Sequence, residues 1–129
     1  MRIGAVSKVC LVLAVLILSA ICASAADPLG EAAAKSGKPL IVDFGLNLCK
    51  QCIRQSEAMD RLKESHGGKI GLTFVHVTKE AGTAADYKIM LIPTLLFFDS
   101  RGKEVFRQVG YMAYEDILTK IDELGLLKK

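Results

Sequence analysis

A strand that runs straight into a dithiol is what most restricts this chain. The apolar run Leu40-Ile41-Val42-Asp43-Phe44 is followed, five residues on, by Cys49-Lys50-Gln51-Cys52, and an amphipathic stretch begins there. A continuous apolar run with one acid in it predicts a strand covered on both faces, hence a central strand flanked by helices. A dithiol at the start of the helix that follows lies among free N–H groups and the positive end of the helix dipole. Both favour a thiolate over a thiol, so the pattern predicts a redox centre.

The remaining cysteines strengthen that expectation. The first 26 of the 129 residues comprise a short basic stretch ending at Lys8, an apolar run over 9–22, and the small residues Ala23-Ser24-Ala25-Ala26. This is the three-part pattern of a secretory signal peptide, with cleavage expected after Ala25. The competing reading is an uncleaved anchor, since 18 residues is near the lower limit for a spanning helix. Cleavage removes Cys10 and Cys22 and leaves Cys49 and Cys52 as the mature cysteines. One close pair is not a disulfide framework, and closing so short a loop stabilises a fold less than a long-range bridge does. Removing Arg2 and Lys8 also leaves 15 basic against 14 acidic residues, a balance of +1 that points to no nucleic-acid surface.

Residues 1–25 are therefore expected to be a signal segment and residues 26–129 a single domain. Asp27-Pro28 predicts a capped helix over 29–36, stopped by Gly37. Residues 40–44 form the first strand. A helix from Lys50 to about Ser65 follows, with Ile53, Met59 and Leu62 near one face and a Glu57–Arg61 pair on another, ended by Gly67-Gly68. Residues 70–77 read as a second strand and 82–88 as a short helix capped by Gly82 or Thr83. Pro93 precedes a third strand over 94–98, Asp99-Ser100-Arg101-Gly102 supplies a hairpin turn, and 103–109 is a fourth strand closed by Gly110. A last amphipathic helix runs from about Tyr114 to Gly125. The first two strands are joined by a helical crossover and the last two by a tight turn. The expected fold is α/β: a mixed four-stranded sheet flanked by helices, with a short N-terminal helix.

That layout is the thioredoxin fold, and the motifs carry the same resemblance. Residues 39–44 before Cys49-Lys50-Gln51-Cys52, Gly82-Thr83-Ala84, Ile92-Pro93-Thr94 before the third strand, and Gln108-Val109-Gly110 before the last helix resemble the thioredoxin family over roughly residues 38–125. The resemblance implies that Cys49 is the attacking thiolate, with Lys50 expected to lower its pKa further. Cys52 is implied as the resolving thiol, able to form a disulfide with Cys49. It implies that Pro93 is a cis-proline facing the dithiol, with the backbone of Ile92 pairing with a substrate peptide. Asp43, matching the family's buried acid, is implied as the acid/base for Cys52, its pKa raised by desolvation.

Several positions depart from the family. The chain has no tryptophan, and Leu48 occupies the place before the first cysteine where thioredoxins commonly carry one. Lys50-Gln51 replaces Gly-Pro, no proline kinks the following helix near Glu57, and the family's extra first strand is missing. Leu48, Lys50 and Gln51 are therefore the residues expected to tune redox direction and specificity. A zinc reading of Cys49, Cys52, His66 and His76 is disfavoured, because nine residues separate the histidines, against three to five in the zinc-finger pattern. No metal and no cofactor beyond the dithiol is expected.

The function these readings predict is an exported, monomeric thiol-disulfide oxidoreductase acting more as reductant than oxidant. In a bacterial cell it would be periplasmic, exchange with cysteines of other exported proteins such as apocytochromes, and be recharged by a membrane-embedded thiol partner. The rival readings are a thioredoxin-like metal-binding carrier and an interaction module with a vestigial dithiol.

Overall fold

The computed structural model describes residues 27–128, so the expected signal segment, 1–25, lies outside the described residues. The chain order is α1 (Pro28–Ser36), β1 (Leu40–Gly45), α2 (Lys50–His66), β2 (Gly71–His76), α3 (Ala81–Asp86), β3 (Thr94–Phe98), β4 (Glu104–Val109) and α4 (Tyr114–Glu123). These strands form one sheet in the order β2-β1-β3-β4. β1 runs parallel to β2 and antiparallel to β3, and β3 runs antiparallel to β4. The mixed four-stranded sheet with helices on both faces is the fold expected from the sequence.

Local chemistry sets the ends of the elements. The Asp27 carboxylate accepts the Gly30 amide at 2.9 Å, Pro28 occupies a first-turn position whose amide would be unpaired in any case, and Gly37 closes α1 at φ 64°. In the β3–β4 turn the Asp99 carboxylate accepts the Arg101 and Lys103 amides at 2.9 and 3.0 Å, and Gly102 takes φ 87°. α3 begins one residue earlier than expected: its N-cap is Glu80, which makes no side-chain capping bond. Neither Gly82 nor Thr83 is the cap, and the helix ends at Asp86, two residues before the expected end.

Every residue of β1 and β3 is buried, because each lies between two other strands and under helices on both faces. On one face Ile41, Leu95 and Phe97 meet Ala58, Met59 and Leu62 of α2 and Ile117 and Ile121 of α4. On the other, Leu40, Val42, Phe44, Leu96 and Phe98 meet Ala33 of α1 and Ala84 of α3. Truncating a core ring such as Phe97 to alanine costs about 3–5 kcal/mol. Tyr87 closes the second layer. Its ring lies 5.9 Å from Phe44 and 6.2 Å from Phe98, and its hydroxyl accepts the Leu29 amide and donates to Asp27.

Two expectations about α2 need correction. Its buried face is Cys52, Gln55, Ala58, Met59 and Leu62, whereas Ile53 is 47 % exposed. The Glu57–Arg61 pair is replaced by a tertiary one. Arg61 donates to Glu115 of α4 at 2.9 Å and lies 4.0 Å over the Tyr114 ring, contacts that a neighbour on the same exposed helix face does not offer.

Candidate active site

β1 ends at Gly45, and Leu46-Asn47-Leu48 carries the chain to Cys49, the N-cap of α2. The Cys49 Sγ accepts the Cys52 amide at 3.3 Å, as a capping oxygen would. Donation from the Cys52 thiol and amide, with a smaller contribution from the Gln51 amide, holds the Cys49 thiol below the ordinary thiol range. The Lys50 charge expected to assist is not among these contributions. Lys50 is exposed on the first turn, where water screens its ammonium, and the donors at the helix start do the work instead.

Cys52 stands three residues on, in a different medium. It is 1 % exposed and its thiol is pushed up to about 11, first by burial, then by hydrogen bonding to Cys49 and by the Cys49 and Asp43 charges. Both thiols are free. Glycine at position 45 makes room for this packing. A Cβ there would lie 3.5 Å from Cys52 Cβ, 3.6 Å from Cys52 Sγ and 3.3 Å from the Phe74 ring.

Asp43 is 2 % exposed, its Oδ1 has no hydrogen-bond partner, and burial raises its carboxyl to about 7. This is the perturbation expected for a lone acid in an apolar strand. Asp43 lines a cleft of about 250 Å³ between α2 and β2, together with Ser56, Asp60 and Lys63.

The other residues singled out from the sequence gather at the same end of the sheet. Thr94 pairs with Phe44, so the loop before β3 comes level with the end of β1. The Ile92–Pro93 bond is cis. Pro93 is buried, and its carbonyl accepts the Gly110 amide at 2.8 Å. The Ile92 amide and carbonyl have no hydrogen-bond partner among the described residues. Leu48 is 94 % exposed, and Gln51 accepts from Arg54 at 3.2 Å. The histidines do not join them: His66 ends α2, about 21 Å along the axis from Cys52, while His76 ends β2. Among the described residues no group of three or more His, Cys, Asp or Glu is placed to hold a metal.

Two features were missed in the sequence. Met90 and Leu91, adjacent in the chain just before the cis-proline, are 86 % and 65 % exposed, and exposed apolar side chains at such a place suit a binding surface. Their place just before Pro93 was the available signal. Gln55 is fully buried, donating to the Met112 carbonyl at 3.2 Å and accepting its amide at 2.8 Å. It fastens the loop after Gly110 to the second turn of α2. Nothing local reveals a partner 57 residues away.

A mixed sheet with a dithiol at the start of the helix after a central strand, and a cis-proline before the neighbouring strand at the same end of the sheet, defines the class as thioredoxin-fold. Comparisons with known proteins agree. Residues 30–125 match the model of the thioredoxin-like domain family, and the chain belongs to that family. It is 27 % identical over 94 residues to a thioredoxin of Alicyclobacillus acidocaldarius, covering 73 % of this chain and 89 % of that one. It is 35 % identical over 75 residues to a thioredoxin of Streptomyces clavuligerus, covering 58 % and 67 %. Among solved structures, chloroplastic thioredoxin z superposes with a TM-score of 0.66 at 22 % identity, over 73 % of this chain and 85 % of the other. The family membership supports thiol-disulfide oxidoreductase activity in general.

Proposed function

We propose that the protein is an exported thiol-disulfide oxidoreductase that reduces disulfides in other exported proteins. One observation carries this reading: two thiols three residues apart are driven in opposite directions, Cys49 down at the helix start and Cys52 up to about 11 beside Asp43. The Cys49 thiolate attacks a partner disulfide, forming a mixed disulfide and releasing one partner thiolate. Asp43, as carboxylate, takes the Cys52 proton. The Cys52 thiolate then attacks Cys49 Sγ, the second partner sulfur leaves and is protonated by solvent, and the Cys49–Cys52 disulfide remains. The free backbone groups of Ile92 suit pairing with an extended substrate segment, and Leu48, Met90 and Leu91 supply apolar contact.

Export rests on residues 1–25, with cleavage after Ala25, and places the working protein, a monomer, in the periplasm or an equivalent compartment. The protein is recharged by a membrane-embedded thiol donor, and Leu48, Lys50 and Gln51 tune its potential. Insulin reduction in the presence of dithiothreitol tests the activity: wild type accelerates it and Cys49→Ser does not. Equal rates would remove the proposal, and stoichiometric metal in the purified protein without exchange activity would favour a carrier. A couple near −270 mV in glutathione buffer supports the reductant direction, and one near −120 mV reverses it.

A further inference from the structure

Asp43 and Phe74 are register partners on adjacent parallel strands, and both line the α2–β2 cleft. The Phe74 ring and Cys52 flank Gly45: a Cβ there would lie 3.3 Å from Phe74 Cε2 and 3.6 Å from Cys52 Sγ. His76 meets the ring edge-on, with centroids 6.3 Å apart. Phe74 is nevertheless 39 % exposed, since β2 is an edge strand. Phe74 therefore borders both water and the cleft that Asp43 lines, where Asp43 Oδ1 has no partner.

We propose that Phe74 is a positioning residue: its ring keeps water off Asp43 and Cys52 from the β2 side, leaving the cleft beside Ser56 as the opening through which Asp43 exchanges its proton with solvent. The charged and titratable groups around Asp43 are few. α2 contributes Cys52 and, in the cleft, Asp60 and Lys63; Cys49 lies at its start, His76 stands two residues beyond Phe74 on β2, and the β3 neighbours Thr94, Leu95 and Leu96 carry no charge. Hydration is thus the main variable that a change at Phe74 would alter.

The catalytic consequence rests on the proposed role of Asp43, but the shield is measurable without turnover. The carboxyl resonance of Asp43 is titrated by carbon-13 NMR in the reduced protein. Phe74→Thr, which suits an edge strand but admits water, is expected to lower the midpoint by about one pH unit. Phe74→Leu, which keeps an apolar cover, is expected to leave it in place. An unmoved midpoint in Phe74→Thr, or an equal shift in Phe74→Leu, overturns the shield. If Phe74→Thr does not fold, Ser56→Leu tests the opening from the helix side: filling the cleft is expected to raise the midpoint, and no change overturns the proposal. The rate at which Cys52 resolves a mixed disulfide is then followed against pH. A profile that moves with the Asp43 midpoint supports the whole scheme, while a moved midpoint with an unmoved profile supports the shield and overturns Asp43 as the acid/base.

Discussion

The open start of α2 and the compartment beneath it share one helix and use it in opposite ways. At the surface, Cys49 is surrounded by donors, and its thiolate is stabilised by hydrogen bonds that a helix start has to spare. One turn deeper, Cys52 and Asp43 are 1 % and 2 % exposed, and burial shifts both towards their protonated forms, Asp43 to about 7 and Cys52 to about 11. The difference teaches that, in the exchange proposed above, depth would set the order of events: the outer sulfur attacks, and the inner one waits for a base.

The comparison is broken most severely at Asp43. Asp43→Asn is expected to slow Cys52 resolution about a hundredfold above pH 7 while leaving Cys49 attack intact, read by stopped-flow on a trapped mixed disulfide. Below pH 6 the gap should narrow, because the wild-type carboxyl is then protonated as well. The same change acts on stability. A carboxyl raised from 3.8 to about 7 binds more protons folded than unfolded between those values, so its ionisation destabilises the fold as pH rises through that window. Asp43→Asn should therefore gain up to a few kcal/mol over wild type at pH 8 relative to pH 4, read by urea denaturation at both.

A smaller effect is expected where the two regions are joined. Gln55→Ala leaves the Met112 amide and carbonyl without side-chain partners and should cost about 1–3 kcal/mol in the same denaturation assay. On the outer surface, Met90→Ser with Leu91→Ser should lower kcat/KM for a protein disulfide about tenfold, from roughly 1–2 kcal/mol of lost apolar contact, and leave a small disulfide reagent unaffected. The smallest effect belongs to Lys50→Gln: the Cys49 titration midpoint, followed by thiolate absorbance, should stay where it is. A rise would restore the charge contribution that the geometry lacks.

How much of this was legible follows from where the information lies. The order of strands and helices was readable because glycine, proline and aspartate punctuate it at Gly37, Asp99 and Gly102, and because β1 and β3 are apolar throughout. Asp43 was readable as an acid where burial tolerates none without cause. The buried face of α2 was not, since Gln55 looks polar until Met112 satisfies it and Ile53 looks apolar although its neighbours leave it exposed. Partners distant in the chain, such as Arg61 with Glu115 or Phe74 with Gly45 and Cys52, leave no local trace.

The most direct test of the account is to titrate the two thiols separately, by carbon-13 labelling of the cysteine Cβ atoms in the reduced protein. The account predicts Cys49 below the free-thiol range and Cys52 well above it, at about 11. Two thiols titrating together near the free-cysteine value, or Cys52 ionising before Cys49, would contradict it.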